Sequence, residues 1–263
     1  MKKSIRILIL AFTVFVMMLP LTVSAKTYKL DGTDMTVELD DSMWYVFTRD
    51  NIENNAELDE LGITYDSMHS ILYDNDAYMD SILFFDDGEF LEMLVRKNAT
   101  DSGVANLSNY TDEEVADFAK ELGKRLGIDD YSVYKSEYKF ARIDYYDSEA
   151  GYYLCEFVTV VNKDVYTFTF QSMTEITEQE YNIIEDIVDN IEFDVDTSLK
   201  EKKNASLFDG VWKNALVGAV AGGCAGAVLG LIKKKKKNNN NNNSNNNNNN
   251  SNNVPDSPDG TAQ

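Results

Sequence analysis

The chain has 263 residues, of which 45 are Asp or Glu and 24 are Lys or Arg, so its formal net charge at pH 7 is −21. Residues 26–210 hold 43 of the acidic and 15 of the basic side chains, a formal charge of about −28, which excludes a nucleic-acid-binding surface and favours cations or basic partners. Cys155 is the only cysteine in that stretch, which excludes an internal disulfide there, so the fold depends on packing. A simpler explanation of the same charge is that it keeps the domain soluble and repels it from an anionic cell envelope.

The first 25 residues (1–25) have the pattern of a secretory signal peptide. Three basic residues within the first six precede an apolar run from Ile7 to Leu19, and small residues lead up to Ala25. This order predicts cleavage after Ala25 and export of the rest of the chain. The alternative is an uncleaved signal anchor, which would add a second membrane span.

Residues 26–194 begin with β patterns. Thr27–Leu30 and Met35–Leu39 flank Asp31-Gly32, a dipeptide typical of tight hairpin turns. Two further apolar runs flank Asp86-Asp87-Gly88 and predict a second hairpin. Later runs rich in aromatic and β-branched residues predict more strands: Tyr131–Phe140, Ala141–Asp147, Tyr152–Asn162 and Val165–Met173.

Two helices are predicted from their first turns. Thr111 is followed three residues later by Glu114, and Thr177 by Glu180, which is the arrangement of a capping box ahead of an amphipathic run. A shorter helical pattern covers Tyr65–Tyr73. Strands in hairpins with a few inserted helices predict an α+β domain, in which helices flank a largely antiparallel sheet.

The end of this domain resembles the Mog1/PsbP-like superfamily. The run Val165-Tyr-Thr-Phe-Thr-Phe is followed by a capped helix from Glu180 to Ile191 and then by Glu192-Phe-Asp. The superfamily includes PsbP proteins of photosystem II, DcrB-type bacterial proteins and exported proteins of Gram-positive bacteria. The resemblance covers roughly Tyr28 to Asp194. It implies an α-β-α sandwich with a binding or accessory role in an exported Gram-positive membrane protein, and no catalytic residue or cofactor.

Residues 214–232 predict one transmembrane helix. Ala215–Ile232 are 18 residues without charge or proline, and a helix of that length covers about 27 Å, close to the hydrocarbon thickness of a bilayer. Trp212 marks the outer edge, where an indole ring favours the headgroups. Residues 195–213 then form a juxtamembrane linker, and membrane lipid is an expected partner.

Five consecutive lysines close the predicted span: Lys233, Lys234, Lys235, Lys236 and Lys237. Because ammonium groups do not cross hydrocarbon readily, this run predicts a stop-transfer signal on the cytoplasmic side. We therefore expect a single-pass protein of the cell membrane, with the N-terminal domain outside the cell. The lysine run and the asparagine-rich tail, residues 233–263, are expected to be disordered in the cytoplasm.

Glycines recur every four residues within the predicted span: Gly218, Gly222, Gly226 and Gly230. On a helix they would lie on one face, and small residues let two backbones approach closely within lipid. The pattern predicts a homo-oligomer formed through this helix. The alternative is a monomeric anchor in which the glycines have no packing role.

Few residues suggest a catalytic or metal-binding site. His69, the only histidine, could be paired with Cys155, but their separation fits no local signature, and a buried thiol beside an unrelated surface imidazole is the simpler interpretation. Asp74, Asp76 and Asp80 are spaced like the start of a calcium loop, but the glycine and glutamate that such a loop requires are missing. Weak calcium binding outside the cell stays open, and no metal site or cofactor is predicted.

Two tyrosine pairs, Tyr145-Tyr146 and Tyr152-Tyr153, flank a turn at residues 147–151. Because side chains alternate along a strand, one tyrosine of each pair should face each side of the sheet. Cross-strand aromatic pairing explains the pattern simply. The functional alternative is a contact rim for an extracellular protein or ligand.

Two functions from different classes are consistent with these features. The first is a non-enzymatic single-pass membrane protein that presents an acidic binding or scaffold domain outside the cell. The second is an envelope enzyme that uses acidic residues, with or without a divalent metal. A cleft with converging carboxylates would favour the enzyme, whereas a filled core with an aromatic rim would favour the binding module.

Overall fold

The computed structural model describes residues 25–86, 88–100, 102–201 and 207. Residues 1–24 of the predicted signal peptide (1–25), the predicted span and the asparagine-rich tail lie outside this part, whereas Ala25 is the first residue of a strand. Ten strands occur in it, in chain order: β1 (Ala25–Lys29), β2 (Met35–Asp40), β3 (Trp44–Thr48), β4 (Ala77–Phe84), β5 (Phe90–Ala99), β6 (Tyr131–Lys135), β7 (Lys139–Asp147), β8 (Tyr152–Val161), β9 (Asp164–Ser172) and β10 (Glu192–Phe193).

The strands form two antiparallel sheets. The larger sheet has the order β3-β4-β5-β9-β8-β7-β6, and the smaller one has the order β1-β2-β10. Both predicted hairpins are present, since β1 pairs with β2 and β4 pairs with β5. The predicted strand Tyr131–Phe140 is interrupted, because residues 136–138 form the turn between β6 and β7.

Four α-helices occur in the described part: α1 (Ala56–Leu61), α2 (Tyr65–His69), α3 (Asp112–Leu126) and α4 (Glu178–Asp189). Both predicted capping boxes are formed. At α3 the Thr111 hydroxyl accepts from the Glu114 amide at 3.3 Å, and the Glu114 carboxylate accepts from the Thr111 amide at 2.8 Å. The helix therefore begins where its sequence indicates.

The larger sheet is covered on both faces. The small sheet and α4 pack on one face, which we call the α4 face, around residues such as Phe157, Phe168 and Phe170. On the other face, which we call the α3 face, α1 and α2 pack near β3 and β4 while α3 packs near β7 and β8. The predicted α+β class, with antiparallel sheet flanked by helices, is confirmed.

A π-helical turn, Ser70–Asp74, continues α2 directly. The predicted helix Tyr65–Tyr73 is thus present but changes its winding after His69. A π turn holds one residue more per turn than an α turn, so it rotates the side chains that follow it. Tyr73, four residues after His69, stacks on its ring, with centroids 4.4 Å apart and planes 18° apart.

The chain after β10 stays attached to the domain through Asn162, which lies in the turn between β8 and β9. The Asn162 side-chain amide donates to the Asp194 carbonyl at 2.8 Å. Its side-chain oxygen accepts from the Asp196 amide, also at 2.8 Å. We call residues 194–201 the C-terminal strap.

The strap ends at a second attachment. The Glu201 carboxylate accepts from the backbone N–H groups of Ala105 at 2.8 Å and Asn106 at 3.2 Å. Beyond it Leu207 is 3% exposed and joins the core under α3. Part of the predicted linker 195–213 therefore packs on the domain.

Candidate functional site

The four candidate tyrosines lie on the two strands of the β7–β8 hairpin, and one cross-strand pair forms among them. Tyr146 pairs with Tyr153, and their ring centroids are 4.7 Å apart. Tyr145 lies opposite Leu154, and Tyr152 lies opposite Asp147. One tyrosine of each sequence pair thus faces each side of the sheet, as the alternation predicts.

The outward pair, Tyr146 and Tyr153, forms an aromatic surface at the end of the hairpin. Tyr146 is 53% exposed, while Tyr153 is half-buried against the core on the α4 face. The adjoining turn is ordered, because the Asp147 carboxylate accepts from the amides of Glu149 and Ala150 at 2.9 and 3.0 Å. We call Tyr146 and Tyr153 the tyrosine rim.

The inward pair, Tyr145 and Tyr152, is not part of that surface. Tyr152 is 3% exposed and contacts the core beside α1 and α2. The Tyr145 hydroxyl is buried, and burial followed by the charge of Glu156 raises the pKa of Tyr145 far above its usual value. Both rings therefore serve the interior of the fold.

A row of buried polar side chains crosses the α3 face between the two groups of helices. Its members are at most 5% exposed: Asp80, Glu92, Arg96, Glu156, Thr167, Thr169 and Gln171. The Thr169 hydroxyl donates to the Glu156 carboxylate at 3.2 Å, and the Gln171 amide donates to Glu92. Arg96 donates to the Asn75 carbonyl at 3.2 Å.

Glu156 is the titratable centre of this row. Burial raises its pKa to about 7, against the opposing effects of the Thr169 hydrogen bond, the Arg96 charge and the Tyr145 hydroxyl. A carboxyl with such a pKa changes charge near neutrality. Because Glu156 is 2% exposed, and Asp80 and Glu92 are 0% exposed, these carboxylates face the interior of the fold.

Sequence reasoning did not find this row, although β9 contains a signal for it. Thr167, Thr169 and Gln171 alternate with aromatic residues, which places a polar stripe on one face of a strand. Such a stripe usually faces solvent. In the structure all three residues are buried, at most 5% exposed.

Cys155 and His69 belong to different sides of the larger sheet. Cys155 is fully buried on the α4 face, and burial raises the pKa of its thiol well above the usual value. His69 lies on α2, which packs on the opposite face, and its ring contacts Tyr65 and Tyr73. The two residues do not form a nucleophile and base.

The aspartates of the calcium-loop hypothesis are dispersed. Asp80 is buried in β4, whereas Asp74 and Asp76 are exposed at the end of the π turn. Within the residues that the structure describes, no group of three His, Cys, Asp or Glu side chains could hold a metal ion.

The predicted membrane residues lie outside the described part: Trp212, Gly218, Gly222, Gly226, Gly230 and Lys233 to Lys237. Among the described residues, no helix is long and apolar enough to cross a membrane.

Comparison with known proteins found similarity in structure. The structure is similar to the solution structure of cyanobacterial PsbP (CyanoP) from Synechocystis sp. PCC 6803, with a TM-score of 0.37 and 10% sequence identity over 66% of this chain and 95% of that one. At this level the likeness transfers no ligand, activity or site residue. No protein-family model and no curated protein matches the chain.

Proposed function

We propose that this protein is a non-enzymatic, single-pass membrane protein of a Gram-positive bacterium, which presents a PsbP-like acidic binding or scaffold domain on the outer face of the cell membrane. The signal-peptide pattern, the apolar segment 214–232 and the lysines after it support this topology. The predicted glycine face supports self-association through the same segment.

The tyrosine rim is the observation that carries the binding role. Tyr146, at 53%, is the most exposed aromatic side chain in the described part, and its ring centroid lies 4.7 Å from that of Tyr153. Rigid, partly exposed tyrosines are enriched where proteins bind one another, because they bury a large area at little entropic cost. The formal charge of about −28 on residues 26–210 adds electrostatic selection for a basic partner.

The enzyme alternative has one supporting feature, the near-neutral pKa of Glu156. Its carboxylate, however, is 2% exposed and hydrogen-bonded to Thr169, so a substrate would have to open the sheet–helix packing to reach it. The geometry therefore favours the binding module.

One experiment on the full chain in native membranes tests both parts of the proposal. The protein is cross-linked and captured, and its adducts are compared among wild type, Tyr146→Ser/Tyr153→Ser and Gly222→Ile/Gly226→Ile. We expect the tyrosine variant to lose adducts with other proteins and the glycine variant to lose the self-adduct.

Met43→Ser is the matched control, because Met43 is also exposed, at 52%, but lies away from the rim in the turn before β3. Unchanged adducts with other proteins in the tyrosine variant would contradict the rim's role. An unchanged self-adduct in the glycine variant would contradict association through the helix.

A further inference from the structure

A second surface, remote in sequence from the tyrosine rim, lies around α1 and α2. Residues 50–80 contain nine Asp and Glu and no Lys or Arg. The guanidinium of the preceding residue, Arg49, is hydrogen-bonded within the domain: it donates to the carbonyls of Leu72 and Ala77 at 2.8 and 2.9 Å. The local field is therefore strongly negative.

A row of neighbouring rings, which we call the ladder, runs along this surface. Tyr65 and His69 have centroids 5.6 Å apart, and His69 and Tyr73 have centroids 4.4 Å apart. Arg49 continues the ladder, with its guanidinium carbon 5.0 Å from the Tyr73 ring centroid. The guanidinium of Arg49 thus lies at one end of the ladder, and Tyr65, which is 44% exposed, lies at the other.

The Tyr65 end of the ladder borders a cavity of about 590 Å³. Ile52, Leu58 and Ile63 line it with apolar side chains that are at most 5% exposed. Glu53, Asp59 and Tyr65 also line it, and all three are exposed. We call these six residues the Tyr65 groove.

The groove is preformed. The Asn55 side chain accepts from the Glu57 amide at 2.9 Å and so fixes the start of α1. The Ile63 amide donates to the Leu58 carbonyl at 2.8 Å across the end of the same helix. Asn54, in the lining, has φ 58°, a left-handed conformation that asparagine adopts more readily than most residues.

We propose that the Tyr65 groove binds a basic, extended peptide segment of a partner protein. A lysine or arginine stem packs on Ile52 and Ile63, its cationic head lies between Glu53 and Asp59, and the Tyr65 ring face contacts the cation. Exposed carboxylates and an exposed aromatic ring beside apolar side chains match the charge and the apolar stem of a long cationic side chain. The proposal rests on the acidic binding domain proposed above but on a different surface.

The test uses the full chain in detergent and fluorescein-labelled oligolysine as the probe, with oligoglutamate of the same length as the negative probe. We expect Glu53→Gln/Asp59→Asn to weaken oligolysine binding about fivefold. Tyr65→Leu, which keeps the apolar bulk, should weaken it about threefold, whereas Tyr65→Phe, which keeps the ring, should bind as wild type does.

The matched control is Glu113→Gln/Asp117→Asn on α3, which removes the same two charges from exposed positions elsewhere. Its affinity should stay within about twofold of wild type. If the control weakens binding as much as the groove variant, the whole field attracts the probe and the groove proposal is overturned. Equal affinity of Tyr65→Leu and Tyr65→Phe would overturn the ring contact.

A Tyr146→Ser/Tyr153→Ser arm separates the two surfaces. Weaker oligolysine binding in that arm with wild-type affinity in the groove variants would overturn the groove proposal and leave the rim standing. Groove-dependent binding together with unchanged cross-linking adducts in the tyrosine variant would support the groove and contradict the rim.

Discussion

At the scale of single residues, Glu156 has the most consequential environment. The carboxylate is in the middle of the larger sheet, where the Thr169 hydroxyl at 3.2 Å, the charge of Arg96 and the Tyr145 hydroxyl favour its charged form. Burial outweighs all three and raises its pKa from an ordinary value of 4.5 to about 7. At a pH between these two values, Glu156 keeps its proton in the folded protein but has lost it in the unfolded chain.

This difference predicts how stability depends on pH. Between the two pKa values the folded state binds more protons than the unfolded state, so the free energy of unfolding falls as pH rises from about 4.5 to about 7 and then levels off. Glu156→Gln keeps the side-chain shape and removes the charge. We expect the variant to exceed wild type in stability by on the order of 2 kcal/mol at pH 8 and to match it near pH 4.

Urea unfolding of the two proteins at both pH values measures this difference. Glu149→Gln is the control, because Glu149 is exposed in the turn after β7 and should show no pH-dependent gain. A Glu156→Gln variant that is less stable than wild type at both pH values would contradict a charged, destabilising Glu156.

At the scale of elements, the sequence predicted those features that depend on residues close together in the chain. Thr111 and Thr177 start their helices with complete capping boxes, since each box needs only residues three apart. Long-range pairing was not predictable. Glu192 and Phe193 join Thr36 and Met35 in the small sheet, and no local pattern indicates that these distant segments separate from the larger one.

The C-terminal strap is an element that sequence patterns do not reveal. In the sequence, nothing distinguishes Glu201 from the other acidic residues. Its carboxylate nevertheless accepts hydrogen bonds from the backbone N–H groups of Ala105 and Asn106, and from the Asn109 side chain at 3.1 Å. Those N–H groups lie some 95 residues earlier in the chain. Only the folded domain brings donor and acceptor together.

Glu201→Ala should release the end of the strap. Two backbone donors lose their partner, which costs about 1–2 kcal/mol of local stability, and Lys200 becomes more available to trypsin. We expect cleavage after Lys200 to be roughly tenfold faster than in wild type, measured by mass spectrometry of timed digests.

Glu149→Ala serves as the control for the strap as well, since it removes an exposed carboxylate far from Glu201 in sequence. Its cleavage after Lys200 should follow wild type. Equal rates for wild type and Glu201→Ala would show that the Glu201 contacts do not hold the strap.

At the scale of the whole molecule, the strap and the tyrosine rim lie at opposite ends of β8. Tyr152 begins this strand beside the rim, and Val161 ends it next to Asn162, which holds the strap. Ten residues of strand separate the two ends by about 30 Å. The chain thus leaves the domain at the end away from the rim.

The packing of Leu207 limits the length of chain between the domain and the predicted span. It is packed in the core, and the span is predicted to begin at residue 214, so the intervening chain covers at most about 25 Å when fully extended. If residues 214–232 cross the membrane, the strap end of the domain lies near the bilayer and the tyrosine rim faces away from it. A partner outside the cell could then reach the rim without displacing the domain.

This orientation predicts different distances to lipid for two labels. Ser198→Cys places a fluorophore on the strap, and Ser148→Cys places it in the turn beside the rim; both positions are exposed. The parent protein carries Cys224→Ser, whereas Cys155 is fully buried with a raised pKa and should not react. In vesicles with a nitroxide on the lipid headgroup, the Ser198→Cys label should be quenched strongly and the Ser148→Cys label weakly. Vesicles without nitroxide give the reference intensity, and equal quenching of both labels, or stronger quenching at position 148, would contradict the orientation.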